Sequence, residues 1–232
     1  MIDPTDIVKD VSQPLTSSLS DAWQWLLGDR IAAWRLENAA KIQVKVNTKL
    51  AALGLKTVPA RIPERYAMAW FEEATKQDET EIQDLFARLL ANAAAGDEDA
   101  ADRRHLEIVA RFVPLDAKVM DIFYNGELAK RHMSQAGELV EVSVDEWSLY
   151  KSLKDEFGAR GWQSVEHLIA LGVLEKRNHI STESVTRLLS NLQTDTSSGL
   201  VYPSYGSGTE LEVMAEIVST LTGLSLMRAL SD

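Results

Sequence analysis

The stretch Arg61 to Tyr124, RIPERYAMAWFEEATKQDETEIQDLFARLLANAAAGDEDAADRRHLEIVARFVPLDAKVMDIFY, decides the fold. Its apolar residues recur three and four positions apart between proline, glycine and acidic marks, which is the spacing of short amphipathic helices. Pro63 suits a first helical turn, and Tyr66, Ala67, Trp70, Phe71 and Ala74 then fall on one face. Asp78 is placed to cap the next helix, with Glu81 three residues on able to reach back. Ile82, Leu85, Phe86, Leu89, Leu90 and Ala93 form that helix's apolar face, and Gly96 ends it. A third helix is predicted from Asp102 to Phe112, stopped before Pro114, and Leu115, Val119, Ile122 and Phe123 mark a fourth. The acids Asp78, Glu79, Glu81 and Asp84 complement the dipole of a helix start. A metal site there would need further ligands converging from elsewhere.

Toward the N-terminus, Leu19 to Leu53 repeats the pattern through Trp23, Leu26, Leu27, Trp34, Ile42, Val46, Leu50 and Leu53. One long helix is predicted, with Gly28 as a candidate break and Gly54 as its end. Between Arg30 and Lys56 six basic residues face the single acid Glu37, and Lys41, Lys45 and Lys49 share a face by their spacing of four. Such a run reads as a solvated face or, more sharply, as a contact for phosphate, lipid head groups or an acidic partner, through Arg30, Arg35, Lys41, Lys45 and Lys49. Trp23, Trp25 and Trp34 read as core or as anchors for another subunit.

Beyond Tyr124 helices give way to a mixture. Asp145 opens a helix marked by Trp147, Leu149, Tyr150 and Leu153 that ends near Gly158. Gly161 or Ser164 opens another, carrying Val165, Leu168, Ile169 and Leu171 and ending at Gly172. Val173 to Lys176 reads as a short strand. Leu211, Val213, Ala215 and Ile217 alternate with Glu210, Glu212, Met214 and Glu216, the period of a half-buried strand, before a C-terminal segment from Leu221 to Leu230. Three helices, a strand, a loop and a strand follow the order of a winged-helix domain. Its DNA-reading helix, Gly161 to Leu171, would need cations toward the bases, yet it offers Gln163, Ser164, Glu166 and His167. The loop Gln193 to Gly208 holds no Lys or Arg, so a wing there has no charge to neutralise phosphate.

The marks on 61–124 resemble the abortive-infection alpha family. The matching pieces are the helix opening near Pro63, the acidic turn Asp78-Glu79, the run Leu85 to Asn92 and the helix start Pro114-Leu115-Asp116-Ala117. Gly28-Asp29-Arg30 and Trp34-Arg35-Leu36-Glu37-Asn38 extend the likeness into the N-terminal arm. The resemblance implies bacterial defence against phage and attaches no reaction to any residue.

Composition narrows the classes further. With 232 residues, 45% hydrophobic and 25% charged, the chain can bury a sizeable core as one large domain or two small ones. The absence of cysteine removes disulfides, thiolate nucleophiles and zinc fingers. The formal charge of −11 repels nucleic acid and anionic membranes except at a local basic patch. No window is apolar enough for a span, and Met1-Ile2-Asp3-Pro4 starts with an acid where a leader would be basic, so the cytoplasm is expected. Gly223-Leu224-Ser225 lacks the second glycine of a nucleophile elbow, Glu166-His167 lacks the second His of a zinc protease, and His105, His132, His167 and His179 lie on four separate predicted elements. The Arg103-Arg104-His105 run suggests a nuclease-like dyad but has no carboxylate partner of known geometry.

These readings combine into a mainly α protein: a long N-terminal helical arm (1–60), a central helical unit (61–113) and a winged-helix-like α+β part (114–232). The expected role is non-enzymatic, without cofactor or metal, as a protein-interaction or sensing module in phage defence that binds a protein partner or itself. The alternative is a nucleic-acid-associated regulator that contacts phosphate through its basic helical face.

Overall fold

The computed structural model describes residues 33–52, 62, 64–180, 185–186 and 213–231. In chain order these form α1 (Ala33–Ala52), α2 (Glu64–Ala74), α3 (Thr80–Ala95), α4 (Arg103–Val109), α5 (Pro114–Asn125), β1 (Lys130–Met133), β2 (Leu139–Asp145), α6 (Glu146–Phe157), α7 (Ala159–Ala170), β3 (Leu174–Ile180), β4 (Val213–Ser219) and α8 (Leu221–Leu230). The described part is mostly helical with one small antiparallel sheet of order β1-β2-β4-β3. Of the long helix expected over Leu19 to Leu53, the part Ala33–Ala52 is described, as α1; residues 19–32, the expected end at 53–54 and the loop 193–208 lie outside the described residues.

α3 is the centre of the helical part and packs against α1, α2, α4, α5 and α8. Ile82, Phe86, Leu89, Leu90 and Ala93, the face its spacing predicts, are all buried, and each large side chain among them contributes roughly 1.5–3 kcal/mol. The α2 stripe Tyr66, Ala67, Trp70, Phe71 and Ala74 closes over it, and the Trp70 indole N–H donates to the Phe86 carbonyl at 2.7 Å. Ile42, Val46 and Leu50 of α1 fill the other side. One apolar cluster runs from Ile42 to Leu230, so helices and sheet share a core.

Several boundaries differ from the sequence reading. Asp78 does not cap α3; Glu79 holds that position without a side-chain bond, and the buried Gln83 amide instead donates to the Gln77 carbonyl at 3.0 Å, pinning the preceding turn. The third helix is shorter than its pattern, Arg103 to Val109, with Asp102 accepting from the Arg104 N–H at 2.8 Å. α7 starts at Ala159 rather than at Gly161 or Ser164. Gly158, at φ 67°, ends α6 and opens α7 at once, while a Cβ on Gly161 would lie 2.9 Å from both the Leu153 carbonyl oxygen and its Cβ. Gly161 therefore lets two helices approach and does not start one. The β1–β2 hairpin was absent from the sequence reading because β1 is exposed throughout and shows no alternation. The β-branched run of β2 after Gly137, which turns at φ 81°, is the signal that could have found it. β3 runs on to Ile180, its exposed half held by backbone pairing with β4.

α8 closes the fold. Thr220 accepts from the Gly223 N–H at 2.9 Å and donates its hydroxyl to the Gly172 carbonyl at 2.6 Å, tying the helix start to the α7–β3 turn. Its other end is held by α3: Arg88 donates to the Leu230 carbonyl at 3.2 Å and Asn92 to the Ala229 carbonyl at 2.8 Å. These bonds satisfy carbonyls that a helix end leaves without partners.

Candidate functional site

Lys41, Lys45 and Lys49 each stand one position before the buried Ile42, Val46 and Leu50 on α1, so they flank the core-facing stripe. Lys45 is engaged within the fold, its ammonium 2.8 Å from Asp84 Oδ1 and 2.9 Å from the Thr80 carbonyl. Lys41 is exposed and Lys49 half-buried, and neither is without a partner. Trp23, Trp25 and Arg30 lie outside the described residues, as do the side chains of Trp34 and Arg35.

α7 carries a polar centre that the sequence did not suggest. Asp116, the third residue of α5, is fully buried and accepts from the Val113 N–H at 2.8 Å. The Ser164 hydroxyl donates to its other oxygen over a short distance, and His167 Nδ1 lies 2.9 Å from Oδ2. Two of the five polar residues of α7, which also carries Arg160, Gln163 and Glu166, are thus turned inward to bind α5 to α7. Because the serine hydroxyl donates to the carboxylate and not to the imidazole, it is not activated as a nucleophile by His167. Two of the other histidines also serve the fold: His105, buried, bonds the Asp99 carbonyl at 2.7 Å, and His132 bonds the Ser143 hydroxyl at 3.1 Å. After α7, Lys176 and Arg177 pair with Glu146 and Glu141, each at 2.7 Å. Among the described residues no cluster of His, Asp or Glu is placed to hold a metal ion.

Two surfaces remain. The first is an aromatic row on α6 and α7. Leu149 and Leu153 are buried as their pattern requires, whereas Trp147 is 70% exposed and stacks on Tyr150 at 5.7 Å, and Tyr150 meets the edge of Trp162 at 5.6 Å. Lys154 lies over the Tyr150 ring at 5.5 Å.

The second is a cleft of about 550 Å³ where α3, α5, the β1–β2 hairpin and α8 meet. Arg88, Arg131 and Arg228 line it from three different elements, beside Asp121 and Asn125 and an apolar wall that includes Leu85, Met120 and Met227. Arg131 donates to the Tyr124 carbonyl at 2.8 Å and Arg228 to the Leu139 carbonyl at 2.9 Å. Tyr124 also lines the cleft; its hydroxyl is buried with no hydrogen-bond partner among the described residues, and burial holds it protonated well above the ordinary tyrosine range. No residue of this cleft was singled out from the sequence as a site, because its members are up to 146 positions apart and share no motif.

Among the described residues no helix is long and apolar enough to cross a membrane. No curated protein and no solved structure matches the chain. The likeness carried by the helix marks of 61–124 is the one that a comparison bears out: the family model described as Abortive infection alpha matches residues 37–225, from within α1 into α8 and across every described strand, and the chain belongs to that family.

Proposed function

We propose that the chain serves abortive infection as a binding module, a protein-interaction or sensing component that works without catalysis in the cytoplasm. Family membership points to abortive infection, a phage-defence setting. The described elements of 114–232 support reading it as a winged-helix-like part: a helix, a two-strand hairpin, two helices, two strands and a closing helix in sequence, with β4 paired between β2 and β3. One observation favours protein over nucleic acid as the partner. Where DNA reading needs cations, α7 has two polar side chains bound to Asp116, while the neighbouring surface presents the exposed Trp147 stacked on Tyr150. Exposed tryptophan is the residue type that carries interface energy, and a partner protein or a second copy would cover it.

The test is purification of the full chain from phage-challenged cells, washed with salt from roughly 50 to 500 mM, the range in which phosphate contacts weaken by orders of magnitude. The reading expects a protein partner or a self-complex that survives the wash and is lost in Trp147→Ala. Nucleic acid that travels with the chain and leaves with salt would overturn it in favour of a regulator acting through Lys41, Lys45 and Lys49.

A further inference from the structure

The cleft between α3, α5, the hairpin and α8 has the makings of an anion site. A guanidinium carries five N–H donors in a fixed fork. Arg131 and Arg228 each give one bond to a backbone carbonyl, and neither forms an ion pair with a described carboxylate. This sets them apart from Arg103, Arg104 and Arg177, which are paired with Glu107, Asp102 and Glu141. The carbonyl bonds fix the two side chains without neutralising them. Arg88 adds a third guanidinium from α3, positioned by its bond to the Leu230 carbonyl. Among the described lining residues the cleft has one carboxylate, Asp121, whose Oδ1 accepts from the Asn125 amide at 2.8 Å, beside the Arg131 and Arg228 guanidiniums that no described carboxylate pairs. In a chain of formal charge −11, such a local excess of positive charge draws anions to one place.

Size and lining narrow the ligand. A volume of about 550 Å³ falls within the range of small-molecule sites, and the leucine and methionine wall can take an uncharged body while the arginines take the charge. Guanidinium groups recognise phosphate by paired N–H bonds, and three of them suit a group carrying more than one negative charge. We propose that this cleft binds a phosphorylated small molecule of about nucleotide size, its phosphates on Arg88, Arg131 and Arg228. The site stands whether or not the Trp147 surface binds a protein, since the two share no residue.

The experiment is titration calorimetry of the full chain with adenosine diphosphate, with pyrophosphate and with citrate as a non-phosphate polyanion. Both phosphate probes are expected to bind at one site, competing with each other, and citrate at least tenfold more weakly. Arg131→Gln/Arg228→Gln removes both charges while leaving a polar amide at each position, and lowers phosphate affinity at least tenfold. Should that variant lose its thermal transition, Asn125→Asp gives a second reading: it adds a negative charge at an exposed lining position and weakens pyrophosphate several-fold. Absence of binding by both phosphate probes at millimolar concentration, citrate binding as tightly as pyrophosphate, or affinity unchanged in the folded variants would each overturn the proposal.

Discussion

The chain has two cationic regions, and they are built in opposite ways. On α1 the charge is contiguous in sequence, a lysine every fourth residue, and at its middle it is spent on the fold, since Lys45 bonds Asp84 and the Thr80 carbonyl of α3. In the cleft the charge is dispersed over 140 residues, from Arg88 to Arg228, and comes together only when α8 returns to α3. Arg131 and Arg228 there are held by carbonyls, which position a cation without cancelling it. A charge run that is conspicuous along the sequence can therefore serve packing, while charges unremarkable one by one can form the site.

The largest way to break this contrast is to move the wall that brings the arginines together. A Cβ on Gly223 would collide with the Val173 carbonyl oxygen and the Tyr124 hydroxyl. Gly223→Ala is expected to cost about 3 kcal/mol in urea unfolding, because the carbonyl obstructing it belongs to the backbone. Wild-type stability in that variant would mean that α8 does not rest on the α7–β3 turn.

A smaller effect comes from a charge with a purely local duty. Asp145 caps α6 by accepting from the Ser148 N–H at 2.8 Å and its hydroxyl at 2.7 Å, and Asp145→Ala is expected to lose about 1 kcal/mol. The Ser148 hydrogen bonds hold the Asp145 carboxyl below its ordinary value of 3.8, with Lys130 contributing. A carboxyl lowered in the folded state contributes stability that is fully present above the unfolded value and is lost as pH falls through the folded one. Asp145→Asn, which can still accept at the cap, should flatten the stability profile below pH 3.8. An unchanged acid limb in that variant would show that the cap is not charged.

The smallest effect sharpens the α1 half of the comparison. A double-mutant cycle on Lys45→Met and Asp84→Asn is expected to give a coupling of about 0.5 kcal/mol, since the pair is partly exposed and screened by solvent. Zero coupling would return Lys45 to the pool of charge available for a partner.

What could be read in the sequence follows the range of the interaction. Helix faces that repeat every three or four residues, such as Ile82 to Ala93, were legible because periodicity alone assigns their buried side. So were caps that act within three residues, as at Asp145 and Gly96. Asp78 misled, because several polar residues could occupy one helix start and the choice fell to the buried Gln83 tether. Asp116 meets Ser164 and His167 across 48 and 51 positions, and no local pattern links them. The cleft was illegible for the same reason, its arginines being brought together by tertiary packing alone.

The most direct measurement titrates pyrophosphate into three forms of the full chain: the wild type, Lys41→Ala/Lys49→Ala and Arg131→Gln/Arg228→Gln. The account predicts that the lysine variant binds like the wild type while the arginine variant binds at least tenfold more weakly. Affinity lost in the lysine variant and kept in the arginine variant would place the anion site on α1 and contradict it.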